Sequence, residues 1–262
     1  MFFGFSSIIK LCLFTGVIVI AMSSAFAAKN SASNSPIELS STEQILKLNT
    51  NELEKRIGQL TEGQKVALKQ IAFNPNSDLQ VRWRALVVAT RLMKNDMKPE
   101  IITASKSNEW FMRSASLMAA KEISSEEATM LARKLITDKA LVVRSAAVDF
   151  LGSSGEESDR KILWKIIHDP LNSRKGQSLW IRSQALQILA RNPYKQELKL
   201  FIDLLNDTDL ELQAIAIQGL EKVSAFQFGT SNESIQDHRK RWLNWWQTMG
   251  KVEYKNLNQN RL

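Results

Sequence analysis

The chain has 262 residues, of which 44% are hydrophobic, and a formal net charge of +8 at pH 7. This length is sufficient to bury a substantial core. The positive charge favours nucleic acid, anionic lipid or an acidic cell-wall polymer as partner, or it serves only to keep the protein soluble. The one cysteine, Cys12, lies in an apolar N-terminal stretch. The rest of the chain therefore forms no disulfide and uses no thiolate chemistry.

The first residues have the pattern of a secretory signal peptide. Lys10 precedes an apolar run over residues 11–22, and Ala25-Phe26-Ala27 provides small residues at a cleavage site. We therefore expect a signal peptide over residues 1–27 and an exported protein, periplasmic or secreted, without a transmembrane span after cleavage. An uncleaved N-terminal membrane anchor is the alternative. Export makes nucleic acid the least favoured partner.

Residues 28–60 divide into a linker and a cap. Residues 28–39 are rich in Ser, Asn and Ala, which predicts a flexible linker. Two capping signals follow, Ser40 with Glu43 and Asn51 with Glu54. They predict two short helices over residues 40–60 that cap the N-terminal end of the domain.

The most informative feature is a helical phrase that recurs at a fixed spacing. Its arginine returns after 31 residues, from Arg82 to Arg113 and then to Arg144, and after 38 residues at Arg182. A fifth copy follows 31 residues later with Gln213 in its place. A period of this size is typical of a solenoid of stacked helical pairs. The pattern predicts an all-α, right-handed α-solenoid of about five helical hairpins over residues 61–225.

Helix-start signals and loop residues between the predicted helices support the same organisation. Three outer helices are expected to begin at capping boxes: Thr61 with Gln64, Ser124 with Glu127, and Ser154 with Glu157. The additional residues of the fourth repeat lie around residues 170–178, where we expect a surface loop that is either a contact loop or a tolerated insertion. No segment alternates with period two over a useful length, so no strand is expected.

The phrase Val-Arg-x-x-Ala-Leu after a turn aspartate resembles HEAT repeats, especially the short type of about 30 residues also found in bilin lyases. The resemblance implies a ladder in which helix-B arginines bond turn acids of successive repeats. The arginines are Arg82, Arg113, Arg144 and Arg182; the acids are Asp78, Glu109, Asp138 and Asp207 or Asp209, with Asp169 displaced by the insertion. Gln213 breaks the ladder. HEAT-like repeats occur in scaffolds, bilin lyases and DNA glycosylases, so the family implies the fold rather than one activity.

Helical geometry separates a core stripe from an opposite face. With the repeat arginine as position zero, positions −3, −1, +3, +4 and +7 cluster with it and form the predicted core. Positions +2, +5 and +9 lie opposite and are expected to line the concave helix-B surface. The candidate binding residues on this face are Arg84, Arg91, Met118, Gln184, Gln187, Arg191, Gln218 and Lys222.

The C-terminal stretch carries an aromatic stripe. Trp242, Trp245 and Trp246 share one helical face with His238 and Met249. We expect residues 226–250 to form a Trp-rich helix that caps the last repeat, followed by a polar tail over residues 251–262. An exposed platform for a glycan or a partner is the alternative. The stretch also resembles a tail that follows HEAT-like repeats in various exported bacterial proteins.

Catalytic signatures are not recognisable in the sequence. The two histidines, His168 and His238, are far apart, and no metal-ligand spacing, phosphate loop or nucleophile elbow is present. We therefore expect no catalytic residues, no metal and no cofactor. The favoured function is a cell-envelope scaffold that holds a protein or peptide on the concave face. The alternatives are an envelope enzyme or enzyme subunit acting on an acidic polymer, and a structural module of an envelope assembly. The oligomeric state is left open.

Overall fold

The structure is a computed structural model, and it describes residues 36–224, 226–229, 233–252 and 254. The predicted signal peptide over residues 1–27 lies outside the described residues. Within the described part of the chain, no helix combines the length and apolar character needed to cross a membrane. The chain divides into two compact units, Met1–Asn74 and Pro75–Leu262. The boundary falls inside the first predicted repeat, between its two helices.

The described residues of the first unit, 36–74, form three helices. These are α1 (Pro36–Lys47), α2 (Thr50–Ile57) and α3 (Glu62–Phe73). The side chains that form its core are buried: Leu46, Leu53, Ile57, Leu68 and Ile71. The helix expected as the outer helix of the first repeat, α3, therefore belongs to the same compact unit as the two predicted capping helices.

Two of the predicted helix starts in this unit are wrong. Helix α1 begins at Pro36, so residues 36–39 are helical and not linker. Proline is well tolerated in a first helical turn, where its missing N–H has no intrahelical partner. Asn49, two residues before the predicted Asn51, caps α2 by accepting a hydrogen bond from the Glu52 N–H. The capping box of Thr61 and Gln64 at the start of α3 is confirmed.

Where the structure describes the second unit, it contains the remaining helices and one very small sheet. Its α-helices are α4 (Leu79–Met93), α5 (Lys98–Ser105), α6 (Trp110–Ile123), α7 (Ser125–Leu135), α8 (Leu141–Ser154), α9 (Glu157–His168), α10 (Ile181–Arg191), α11 (Leu198–Leu204), α12 (Leu210–Ser224) and α13 (Ile235–Trp245). Three 3-10 helices, Lys94–Met97, Pro170–Asn172 and Lys195–Glu197, and a π-helical turn, Trp246–Gly250, complete the helical segments.

The helices of this unit alternate in two roles. The arginine phrase lies on α4, α6, α8, α10 and α12, which we call the B helices, and each packs against the next. The helices between them, α5, α7, α9 and α11, are the A helices, and each packs on the B helix that follows it. This alternation is that of an all-α repeat solenoid, as predicted.

The predicted core stripe is buried at four of its five positions. In α8 these positions are Val143, Ala147, Val148 and Leu151, and the equivalent residues of the other B helices are also buried. Position −3 was assigned wrongly to the core in three of the five B helices, where Leu79, Trp110 and Leu210 are 51%, 47% and 55% exposed. Each of these three is the first residue of its helix, so its side chain points back past the helix start, where no preceding turn packs against it. In the other two copies, Leu141 and Leu179 are partly buried and pack against the core.

The insertion in the fourth repeat folds into a small hairpin. Strands β1 (Ser173–Arg174) and β2 (Gln177–Ser178) pair antiparallel, so the expectation of no strand is wrong here. The turn between them uses left-handed backbone at Lys175 (φ 52°) and Gly176 (φ 76°), the conformation that suits a two-residue hairpin. Ser154 also differs from the prediction. It ends α8 and accepts a hydrogen bond from the Glu156 N–H, and α9 begins at Glu157.

The C-terminal helix begins at Ile235, so the predicted start at residue 226 is wrong, and it buries two of the three tryptophans of its stripe. Trp242 and Trp245 are buried within the same hydrophobic core as Leu220 of α12. Phe228 packs edge-on against Trp242, with ring centroids 4.7 Å apart. Helical backbone continues through residues 251 and 252 and includes 254, so the predicted polar tail is helical where it is described. These contacts describe a helix that covers the end of the last B helix.

Candidate functional site

Two of the repeat arginines form bidentate ion pairs with acids of the following turn. Arg82 donates from Nη1 and Nη2 to the Glu109 carboxylate at 2.8 and 2.6 Å. Arg113 donates from Nε and Nη2 to Asp138 at 2.6 and 2.7 Å. Arg113 also donates from Nη1 to the carbonyl oxygens of residues 107 and 108, in its own repeat. Each guanidinium thereby joins two successive repeats.

The acids of these pairs are held in their ionised form. Burial acts to raise the pKa of Asp138, but hydrogen bonds from Arg113 and from the Ala140 N–H outweigh it and lower the pKa below its usual value. The hydrogen bond from Arg82 lowers the pKa of Glu109 in the same way. The same pairing raises the pKa of Arg113. The pairs therefore remain charged at neutral pH.

The next arginine has no carboxylate partner among the described residues. Arg144 donates from Nε to Oδ1 of Asn172 at 3.0 Å and from Nη2 to the Leu171 carbonyl at 3.1 Å. Its Nη1 donates to the carbonyl oxygens of Asp138 and Lys139. Four neutral oxygens surround the charge. Asn172, contributed by the insertion, occupies the place that the ladder prediction gave to Asp169.

The last two rungs complete the pattern. Arg182 donates from Nη2 to Asp207 at 2.5 Å and from Nε to the Ile167 carbonyl at 2.6 Å. Gln213 keeps only the bond within its own repeat, from Nε2 to the Asp207 carbonyl at 2.7 Å. Asp207, rather than Asp209, is thus the acid of this rung. All four ladder arginines are buried, so they support the stacking of repeats and are not exposed to a ligand.

A second ionic ladder, which the sequence analysis missed, joins successive A helices. Its three rungs are Lys98 to Glu127 at 2.5 Å, Arg133 to Asp159 at 2.6 Å, and Arg160 to Glu197 at 2.5 Å. Glu197 also accepts a hydrogen bond from the Trp164 indole N–H at 2.8 Å. The rungs do not share a constant spacing along the chain, which is why the repeat period does not identify them.

Asp159 shows how strongly this second ladder is held. Its side chain is fully buried and accepts hydrogen bonds from Arg133 and from the Ser154 hydroxyl. Burial acts to raise its pKa, but these two hydrogen bonds outweigh it and lower the pKa. Both ladders therefore use their charges to stabilise the fold.

The predicted binding residues fall into two groups. Met118, Gln187, Arg191 and Gln218 are exposed on the B helices, at positions +5 and +9. We call the exposed surface at these two positions the B-helix face. The +2 position contributes little to it: Ala115 and Ile215 are buried, and Arg84 and Gln184 are only half-buried.

Several predicted residues on this side are engaged by the protein itself. Arg91 donates from Nε and Nη2 to the Glu122 carboxylate at 3.1 and 2.9 Å, so its charge is neutralised. Lys222 donates to the carbonyl oxygens of Ala190 and Arg191 and so caps the end of α10. Gln184 donates from Nε2 to Asp149 at 2.8 Å. These three side chains join neighbouring B helices.

A polar cavity opens on the B-helix face between α8 and α10. Its volume is about 380 Å³, and Asp149, Gln184, Gln187, Arg191 and Tyr194 are among the residues that line it. The Ser145 hydroxyl donates to the Gln184 amide oxygen at 2.9 Å, which fixes the amide that holds Asp149. One wall therefore presents an oriented carboxylate, and Gln187 and Arg191 add an amide and a guanidinium.

A less polar cavity lies next to it, between α6 and α8. Its volume is about 310 Å³, and its lining includes Met118, Phe150 and Asp149. Asp149 also lines the polar cavity, so the two are adjacent on the same face. The Nζ atom of Lys121 lies 5.9 Å from the centroid of the Phe150 ring. Apolar and polar recognition elements thus follow one another along the B-helix face.

In the part of the chain that the structure describes, no group of three or more His, Cys, Asp or Glu side chains is placed to bind a metal ion. His238 lies 3.6 Å from Glu233, far along the chain from His168.

Residues 99–179 match the family described as HEAT repeats. No curated protein matches the chain. The matched region extends from the start of α5 to the end of the insertion hairpin.

Proposed function

We propose that this chain, whose residues 99–179 match the family of HEAT repeats, is a non-catalytic scaffold that holds a protein or peptide partner on its B-helix face. HEAT repeats are commonly protein-interaction scaffolds. The fold alone does not select a binding surface, so the choice of face rests on the side chains.

The observation that supports the proposal is that one set of charged residues joins the repeats to one another, whereas another set of polar residues is exposed on the B-helix face. Three ladder arginines, Arg82, Arg113 and Arg182, form ion pairs between repeats. Five charged side chains of the A helices do the same: Lys98, Glu127, Arg133, Asp159 and Arg160. Gln187, Arg191 and Gln218 are exposed in corresponding rows of successive B helices. A row of exposed polar side chains on a rigid scaffold suits a partner that lies across several repeats.

The chemistry of the two cavities suits a polypeptide. An amide side chain such as Gln187 both donates and accepts, which matches the alternating N–H and C=O groups of a peptide backbone. Arg191 pairs with carboxylates, and Asp149 with cations. Met118 and Phe150 in the adjacent cavity accommodate an apolar side chain. Together they favour a peptide segment with both apolar and charged residues.

The cellular setting of the proposal rests on the N-terminal sequence. The pattern over residues 1–27 supports export, and an exported scaffold would act in the cell envelope. The alternative of an enzyme subunit acting on an acidic polymer depended on basic residues at both ends of the face. Arg91 no longer supports it, because Glu122 neutralises its charge. A structural module of an envelope assembly remains compatible with the same face.

The proposal is tested by the affinity of a partner captured with the tagged full chain and then purified. Arg191→Glu reverses a charge on the B-helix face, and Lys165→Glu makes the same charge change on A helix α9. We expect Arg191→Glu to weaken binding by about 10-fold or more and Lys165→Glu to leave it unchanged, because the first alone touches the partner. Equal affinities for the two variants would refute the assignment of the face.

A further inference from the structure

The edge of the second unit where the B helices begin carries a row of exposed apolar side chains. One such residue stands at the start of each B helix, and each is between 47% and 55% exposed: Leu79, Trp110, Val142, Trp180 and Leu210. These residues stand at position −3 or −2 from the repeat arginine or from Gln213. Scattered exposed apolar residues are ordinary, but one at the start of every B helix, two of them tryptophans, makes this edge a candidate interaction surface. This edge is distinct from the B-helix face.

The insertion hairpin lies on the same edge and adds to the row. Leu171 is 56% exposed, and Arg174 and Lys175 are exposed at the hairpin turn. Arg144 joins the beginning of α8 to the hairpin through its bonds to Asn172 and the Leu171 carbonyl. Val142 and Lys139, at the beginning of α8, therefore belong to the same surface as the hairpin. We call this surface the hairpin patch: Lys139, Val142, Leu171, Arg174, Lys175 and Trp180.

The charges of the hairpin patch are unbalanced. Two neighbouring acids are neutralised, because Asp138 pairs with Arg113 and Asp207 pairs with Arg182. Asp169 accepts a hydrogen bond from the Leu171 N–H and contributes one negative charge beside the patch. The cations Lys139, Arg174 and Lys175 are exposed, and none has an ion pair with a described residue. Three of the six residues of the patch are basic, and none is acidic. The patch is thus a local excess of positive charge.

We propose that the hairpin patch binds an anionic lipid surface. Three cations beside exposed Val, Leu and Trp side chains form the combination that binds at the headgroup layer, where the apolar groups enter the interface and the cations meet phosphate. Two of the three cations are lysines, which protein–protein interfaces disfavour. This composition favours lipid over an acidic protein as the partner.

Co-sedimentation of the full chain with vesicles tests the proposal. The two vesicle types are phosphatidylcholine alone and phosphatidylcholine mixed with phosphatidylglycerol. We expect binding to the mixed vesicles only, weakened as salt rises from about 0.1 M to about 0.5 M because screening reduces the electrostatic attraction. The double variant Arg174→Glu/Lys175→Glu should lower the partition coefficient by about 30-fold or more, given the contribution of each basic residue near an anionic surface.

The matched control is Lys121→Glu/Arg191→Glu, which makes the same change in net charge on the B helices. This control should retain vesicle binding and lose binding of the protein partner. The hairpin variant Arg174→Glu/Lys175→Glu should lose vesicle binding and retain the protein partner.

Trp180→Ala should weaken vesicle binding about 10-fold without changing the circular dichroism spectrum, because Trp180 is half exposed and precedes α10. Equal vesicle binding by the hairpin variant and the control would overturn the proposal. Binding to polyglutamate with none to either vesicle would also overturn it and would identify an acidic protein as the partner.

Discussion

Arg144 donates from Nε to Oδ1 of Asn172 at 3.0 Å, so an amide stands where the preceding repeats place a carboxylate. Arg144 is buried, and the remaining acceptors around its guanidinium are backbone carbonyl oxygens. Asn172 also donates from Nδ2 to the Ile166 carbonyl at 2.9 Å. The insertion thereby replaces the lost acid with a residue that satisfies two buried groups together.

Asn172→Ala should therefore destabilise the protein by about 2 to 3 kcal/mol, because it leaves a buried guanidinium N–H without a partner and removes one of the two hydrogen bonds to the Ile166 carbonyl. Gln177→Ala, at an exposed position of the same hairpin, should change the unfolding free energy by less than about 0.5 kcal/mol. Urea denaturation of both variants measures the difference. Equal stabilities would show that Asn172 does not substitute for the missing acid.

Acid should weaken the ladder through Asp138. Its pKa is lowered in the folded protein, so its ionised form stabilises the fold above the unfolded pKa of about 3.9, and this contribution is lost as the pH falls through the folded value. Asp138→Asn should cost about 2 to 3 kcal/mol at neutral pH. The difference in unfolding free energy between variant and wild type, measured by urea denaturation, should decrease from about pH 4 downward. A difference in unfolding free energy that stays constant down to about pH 2 would contradict the claim that the ion pair of Arg113 and Asp138 provides this stability.

The second ladder should matter as much as the first. Glu197 accepts hydrogen bonds from Arg160, from the Trp164 indole and from the Tyr194 N–H. Glu197→Ala should cost about 3 kcal/mol or more, because it leaves a buried charge and two further donors unpaired. The exposed pair of Lys161 and Glu157 provides the comparison, since Lys161→Ala should change stability by about 0.5 kcal/mol at most. Thermal or urea denaturation that ranks the two alike would disprove the role of Glu197.

Two helical glycines should respond differently to alanine. A Cβ at Gly219 would lie 2.5 Å from the ring of Phe201, which is buried and packs edge-on against Trp164. Gly219→Ala should therefore cost about 1 to 3 kcal/mol. A Cβ at Gly152 would lie 2.7 Å from Cγ2 of Ile188, whose half-buried side chain lines the polar cavity and has space to shift into it. Gly152→Ala should remain within about 1 kcal/mol of wild type, because the gain in helix propensity offsets the adjustment. Equilibrium denaturation measures the unfolding free energy of both variants. Equal losses of stability would contradict the claim that contact with the buried Phe201 ring makes Gly219→Ala the more costly change.

The sequence predicted the B helices well because their information is periodic. The spacing from Arg82 to Arg113 to Arg144 identifies equivalent positions, and helical geometry then separates buried from exposed residues. The core prediction for position −3 was wrong at Leu79, Trp110 and Leu210, because the angle of a residue around the helix does not give its position along the helix. Leu79 and Leu210 share the angle of the core stripe, but they stand at helix ends, outside the packed turns.

Contacts that depend on tertiary structure escaped prediction. Asn172 lies in an insertion whose hairpin conformation brings it to Arg144, and the repeat pattern carries no information about that conformation. The same reason applies to Arg91, whose pairing with Glu122 requires the packing of α4 against α6. Candidate binding residues chosen by helical face alone therefore included side chains that the fold itself uses.

Site-specific photo-crosslinking in cells tests the proposed scaffold most directly. A photoreactive side chain would be placed in turn at Met118, Gln187 and Gln218 on the B-helix face, and at the exposed Lys165 and Lys199 on A helices as controls. We predict adducts of one common partner from the three B-helix positions and none from the controls. Adducts that form only from Lys165 or Lys199, or from none of the five positions, would contradict the assignment of the B-helix face as the docking surface.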